Sequence, residues 1–180
     1  TKMGDKEGWV QRGLLAASPP ADDGGFGCDC PTAIIHMDRF CGITSGMTIS
    51  EIKAWAGHRA REGVMYYAEI DFDYLGVNDS TGAELARFLH FDGNLAGISV
   101  TSPKCKTALD IGVGSTATAA MRAYPEGSFH GSEWDGLLLF SPANAEIIFR
   151  MDATVPGYIL SDAELDSINF DTTRVSVIEI

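Results

Sequence analysis

Hydrophobic and polar positions alternate most regularly in YYAEIDFDY (66–74). There Tyr66, Ala68, Ile70, Phe72 and Tyr74 fall on one side, and Tyr67, Glu69, Asp71 and Asp73 on the other. Period-two alternation marks a strand with one dry face and one wet face, so the pattern predicts a strand over 66–74. Further strand patterns stand at ARFLHFD (86–92), LAGISV (95–100), EIIFRMD (146–152) and VSVIEI (175–180). Asp92-Gly93-Asn94 lies between two of them and reads as a tight hairpin turn. TAIIHMDRF (32–40) reads as one short strand by its β-branched and aromatic content. A different period appears at Ile49, Ile52, Lys53 and Ala56, an i, i+3, i+4, i+7 set flanked by Trp55. Thr48 and Glu51 have the spacing of a capping box at its start, and Gly57 stops it. This predicts a helix over 48–56.

The helix pattern is written twice. GITSGMTISEIKAWAG (42–57) is followed by DIGVGSTATAAMRAYP (110–125), in which Thr116 stands for Thr48, Ala120 for Ile52 and Tyr124 for Ala56. Pro125 stops the second helix where Gly57 stops the first, and Ala119 replaces Glu51, so the second copy lacks the reciprocal half of the box. At the same offset Trp134, Leu138 and Phe140 answer Tyr66, Ile70 and Phe72. Residues 86–92 match 146–152, and 95–100 match 175–180, at other offsets. Residues 153–174 form an insertion, where Ser161 and Glu164 again have capping-box spacing and predict a short exposed helix. The expected organisation is a loop-rich leader over 1–41 with one or two short strands, a first repeat over 42–101 and a second over 102–180. The expected fold is α+β: two tandem repeats sharing one core, each a short helix packed on an antiparallel sheet.

The stretch GITSGMTISEIKAWAG resembles the G-x-x-x-G-M-T-x-x-E/Q-[VI] helix start of the β-lactamase inhibitor protein family and of the SmpA/OmlA-type outer-membrane lipoproteins. The segment 97–125 is also similar to a recurring joint in bacterial envelope proteins. The resemblance covers roughly 42–180. The inhibitor family is built from two helix-plus-sheet units, so the resemblance implies that fold and an envelope role. Its motif marks a helix start and transfers no contact residue.

The 180 residues are 45% hydrophobic and 21% charged, with a formal charge of −12 and a pI near 4.5. Such a surface repels nucleic-acid phosphates and anionic lipid heads, and it suits a basic protein partner. No apolar run is long enough to span a membrane as a helix. The opening TKMGDKEGWVQRG is polar and reads as a trimmed start, which leaves room for an upstream lipid anchor of the kind the lipoproteins carry. Cys28, Cys30, Cys41 and Cys105 allow three pairings. A Cys28–Cys30 bridge closes a strained ring, so each is expected to meet Cys41 or Cys105. Unpaired thiols are a second reading. A zinc set using His36 and Asp38 is a third, although C-x-C departs from the usual finger spacing.

Signatures for catalysis are thin. G-x-S-x-G, H-E-x-x-H and the P-loop are missing, and IGVGSTATA lacks the lysine a phosphate cradle needs. Cys41 or Cys105 could face His36, His58, His90 or His130, but the plain reading of these histidines is surface or hairpin positions. Glu69, Asp71 and Asp73 could gather a cation, but alternate carboxylates on a strand are usually a solvated face. No cofactor is expected. If Leu89 and Phe91 point inward, Phe88 and His90 emerge beside Tyr67, Glu69, Asp71 and Asp73, on the sheet face away from the helices. Those six residues are the expected partner-binding set. The alternatives are loops at Ser128–Asp135 and 153–174, or a sheet face covered by the leader. The expected function is a non-enzymatic protein-binding module of the bacterial envelope, periplasmic or otherwise exported, acting as an inhibitor or toxin-immunity protein. The alternatives are an envelope assembly lipoprotein and a cysteine- or metal-dependent hydrolase.

Overall fold

A computed structural model describes residues 28, 34–36, 39–67, 70–143 and 146–180. Glu69, Cys30 and Asp38 lie outside the described residues, as does most of the expected leader before Ile34. The expected strand over 32–40 is instead two short ones, β1 (Ile34–Ile35) and β2 (Arg39–Phe40), paired antiparallel with Ile35 opposite Phe40. β3 (Ile43–Thr44) continues from β2.

The first helix, α1 (Ile49–Ala56), forms as its capping residues dictate. The Thr48 hydroxyl accepts the Glu51 N–H, and the Glu51 carboxylate accepts the Thr48 N–H at 2.8 Å. Gly57 closes it with φ 57°, and a 3-10 turn (Gly57–Arg59) leads into the sheet. The next strands are β4 (Ala60–Tyr67), β5 (Ile70–Asn78), β6 (Glu84–Phe91) and β7 (Asn94–Val100). Asp92 and Gly93 both have positive φ, 49° and 79°, as a two-residue hairpin of the mirror-image type demands. β8 (Lys106–Thr107) runs parallel to β1 and completes a small sheet in the order β3-β2-β1-β8.

The second helix, α2 (Ala117–Ala123), is capped by Thr116 alone. It leads to β9 (Ser128–Gly131), β10 (Leu137–Ser141) and β11 (Ile148–Thr154). Then comes α3 (Asp162–Asp166), with the Ser161–Glu164 capping box expected of it, and β12 (Val175–Glu179). The large sheet has eight strands in the order β4-β5-β6-β7-β12-β11-β10-β9, and every neighbouring pair is antiparallel. The fold is therefore α+β, dominated by antiparallel sheet, with the strand that ends each half (β7 and β12) meeting in the middle.

One face of the large sheet carries the core. Leu75, Val77, Ala86, Phe88, Ile98 and Val100 from one half join Leu138, Phe140, Phe149, Met151, Val175 and Ile178 from the other. Ile52 and Ala56 of α1, Ala117 and Ala120 of α2, and Ile35, Phe40 and Ile43 of the small sheet belong to the same cluster. Trp55 is partly buried there and meets Phe88 edge-on, with ring centroids 6.4 Å apart. The other face carries half-exposed residues such as Met65, Tyr74, Arg87, Leu89, Leu139 and Arg150.

Two expectations about faces are corrected. The segment 66–74 is a hairpin, not one strand: Tyr67 stands opposite Ile70, so Tyr66 faces Asp71 and not Phe72. Tyr66 is accordingly 71% exposed. Phe88 is wholly buried, because Phe88 lies opposite Leu75 and Ile98 on the core face, while Leu89 is the outward residue.

Candidate functional site

Asp71 and Asp73, expected on the open face, lie on the other one. Asp73 and His90 are directly opposed across β5 and β6, one step beyond the Leu75–Phe88 pair on the helix-covered side. There they line a groove of about 540 Å³ beside α1, together with Ile49, Lys53, Glu62 and Val64. Asp71 is exposed and stands opposite Tyr66 at the same end. Lys53 Nζ donates to Glu62 at 2.5 Å across the groove wall, and this bond and charge hold the Glu62 carboxyl below its usual range. Of the six expected contact residues, Asp71, Asp73 and His90 thus come together. Phe88 is withdrawn into the core, Tyr67 is placed only as the last residue of β4, and Glu69 lies outside the described residues.

The two loops expected as the alternative site converge at the opposite end of the sheet. Gly131 N–H donates to the Tyr158 carbonyl at 2.9 Å, and Val155 N–H to the Gly136 carbonyl at 2.7 Å. A Cβ on Gly131 would overlap the Gly157 carbonyl, so only glycine lets the loops approach this closely. The His130 and Tyr158 rings meet edge-on with centroids 5.5 Å apart. Burial pushes the His130 imidazole below its ordinary pKa, favouring its neutral form.

The β9–β10 loop is also held from within. Ser132 Oγ accepts the N–H groups of Trp134 and Asp135, and the Asp135 carboxylate accepts the Leu137 N–H at 3.2 Å. Arg150 joins Asp135 to Glu179, donating to the latter at 2.9 Å. Partial burial works to raise the Asp135 carboxyl, but its hydrogen bonds and the Arg150 charge outweigh that and hold it below the usual range. This frame presents three large apolar side chains to solvent: Trp134 at 69% exposure, Tyr158 at 52% and Ile159 at 86%.

Chemistry based on thiols is not available to the placed cysteines. Cys28 and Cys41 form a disulfide with Cα atoms 5.5 Å apart, a normal separation, and Cys105 is disulfide-bonded as well. The Cys28–Cys41 bridge also removes two donors from the zinc set. Among the described residues no three of His, Cys, Asp and Glu converge as metal ligands. A second groove, of about 450 Å³, lies beside α2 and is lined by Met121, Tyr124, Pro125, Phe129, Phe140 and Phe170. The Tyr124 hydroxyl is buried with no hydrogen-bond partner among the described residues. No helix among the described residues is long and apolar enough to cross a membrane.

No family model matches this chain, and no curated protein does. Among solved structures, the uncharacterized protein yfeY from Escherichia coli is similar in fold, with a TM-score of 0.51 at 14% sequence identity. The match covers 76% of this chain and 91% of that one.

Proposed function

We propose that this chain is a protein-binding module of the bacterial envelope, built from a duplicated helix-plus-sheet unit and acting on a partner protein in the manner of an inhibitor or immunity protein. The observation that carries the reading is the exposure of Trp134, Tyr158 and Ile159 on two loops locked to each other by backbone hydrogen bonds. Exposed large side chains scattered singly need no explanation, but three carried on two loops fastened to each other favour an interaction surface. Tryptophan and tyrosine dominate binding energy at such sites, and loops already ordered lose little entropy on binding. The duplication is supported by the matching Thr48 and Thr116 caps and by the mirrored positions of the strands that follow each helix. Disulfide-bonded cysteines favour an oxidising compartment, which supports an exported protein.

The test is retention of a partner from the envelope fraction of the native host, with immobilised wild-type chain and a Trp134→Ala/Ile159→Ala variant run in parallel. A protein held in stoichiometric amount by the wild type is expected to bind the variant at least about thirty-fold more weakly, since a central aromatic anchor typically costs at least about 2 kcal/mol when truncated. A partner held equally well by both moves the site elsewhere. Finding no stoichiometric partner at low salt removes the binding reading.

A further inference from the structure

The two ends of the large sheet are treated differently. At one end the short strand β9 is covered by the insertion: Gly157 lies against Gly131, and the Tyr158 carbonyl accepts the Gly131 N–H. At the other end β4 is eight residues long, and its outer edge has no strand partner among the described residues. Alternate residues of such a strand turn their N–H and C=O groups outward, which makes the edge a template for another strand. Natural proteins usually blunt an edge with proline, a bulge or a charge. The outer part of β4, Gly63-Val64-Met65-Tyr66-Tyr67, has none of these. Its register with β5 runs without a break from Ala60–Val77 to Tyr67–Ile70, so no bulge twists it away. Val64 at 62% and Tyr66 at 71% are both exposed beside it.

We propose that β4 is a docking edge that takes an extended, basic segment of a partner protein as a ninth strand. The inference rests on the protein-binding reading and adds a second contact surface at the edge opposite the Trp134 loops. On the helix-covered side of β4 stand Glu62, Val64 and Tyr66, with Asp73 and Asp71 directly behind Val64 and Tyr66 on β5. Every second side chain of an added strand falls on this side. A lysine or arginine there lays its stem on Val64 or Tyr66 and carries its charge toward Asp73 or Asp71. Glu62 is already paired with Lys53, whereas neither Asp71 nor Asp73 has an ion-pair partner among the described residues. The net charge of −12 attracts the same sign of segment over longer range, and it opposes a second copy of this chain, which carries the identical charge. Backbone pairing supplies affinity in this mode, and the alternate side-chain positions supply selectivity.

The experiment uses the full chain and two fluorescent peptides, one alternating lysine with valine and one alternating glutamate with valine. Anisotropy is expected to show binding of the lysine peptide and none of the glutamate peptide, with slowed amide exchange in β4. Val64→Lys/Tyr66→Lys is expected to weaken the lysine peptide at least tenfold, and Asp71→Asn/Asp73→Asn to weaken it severalfold with a shallower salt dependence. Trp134→Ala is expected to leave peptide binding unchanged. The inference is overturned if the lysine peptide fails to bind, or binds Val64→Lys/Tyr66→Lys as well as wild type. It is equally overturned if β4 amides stay unprotected, or if sedimentation finds a dimer that Val64→Lys/Tyr66→Lys dissociates. Should the peptide arm fail while Trp134→Ala/Ile159→Ala still weakens the native partner, the edge inference falls and the protein-binding reading stands.

Discussion

Phe88 and Tyr66 exchange the roles that the alternation of the chain assigns them, and the exchange has a measurable consequence. Phe88 is sealed in the core against Trp55. Phe88→Ala is therefore expected to cost about 3–5 kcal/mol in urea unfolding, the range for deleting a buried ring. Tyr66→Ala is expected to stay within about 0.5 kcal/mol of wild type, as surface substitutions do. A small loss at Phe88 would mean that the core face is wrongly assigned. The inversion arises between Tyr67 and Ile70, which stand opposite each other where β4 gives way to β5. In a hairpin with two connecting residues, Tyr66 faces Asp71, so the even positions before the turn share a face with the odd positions after it. Ala68-Glu69 carries none of the Gly, Asn, Asp or Pro signals that usually mark such a turn. The run looks continuous for that reason. The exposed residues Trp134, Tyr158 and Ile159 were accessible only as parts of two separate loops, because the hydrogen bond from the Gly131 N–H to the Tyr158 carbonyl joins distant positions and leaves no local pattern.

Helices were the most legible elements, since their caps are local chemistry. Thr48 with Glu51 and Ser161 with Glu164 form the reciprocal boxes that their spacing predicts, while Thr116 accepts a single bond from the Ala119 N–H at 3.1 Å. Thr48→Ala is expected to lower stability by about 1 kcal/mol, and Thr48→Ser to restore most of it, read from the midpoint of chemical unfolding. An unchanged midpoint in Thr48→Ala would show that packing alone fixes the helix start. The strand pairings between the two halves were less legible. The match of 95–100 with 175–180 is in phase: Leu95 and Val175 are both buried, as are Ile98 and Ile178. The match of 86–92 with 146–152 is one residue out, since it sets buried Phe88 against half-exposed Ile148. The match of Phe72 with Phe140 likewise pairs the outer face with the core. Apolar residues occur on both faces of these strands, so hydrophobicity identifies the segment without fixing its register.

At the scale of the whole molecule, the halves are joined through the segment between β7 and β8, and a carboxylate ties that segment to the first half. Asp79, in the β5–β6 turn, accepts from the Thr81 and Ala83 N–H groups at 2.8 and 2.9 Å and from Lys104 Nζ at 2.7 Å. The Lys104 bond, then those of Thr81 and Ala83, hold its carboxyl far below the usual range. Because the folded value lies below the unfolded one, this contribution is complete above the unfolded value of about 3.9 and is lost as pH falls through the folded value. The urea midpoint is expected to drop on acidification from about pH 5 toward pH 2, and Asp79→Asn to flatten that dependence while lowering the midpoint at neutral pH. An equally steep acid dependence in Asp79→Asn would assign it to other carboxylates. The α+β class and the antiparallel sheet were legible because each rests on patterns within a few residues. The small sheet was not, since its parallel β1–β8 pair joins residues more than seventy positions apart. The proposed grip on a partner protein lies in the loops that carry Trp134, Tyr158 and Ile159. Amide hydrogen exchange of the chain with and without its native partner tests this most directly. Protection at 132–136 and 155–160 is the expected result. Protection confined to the open-face strands around Leu89 and Arg150, with the loops unchanged, would contradict it.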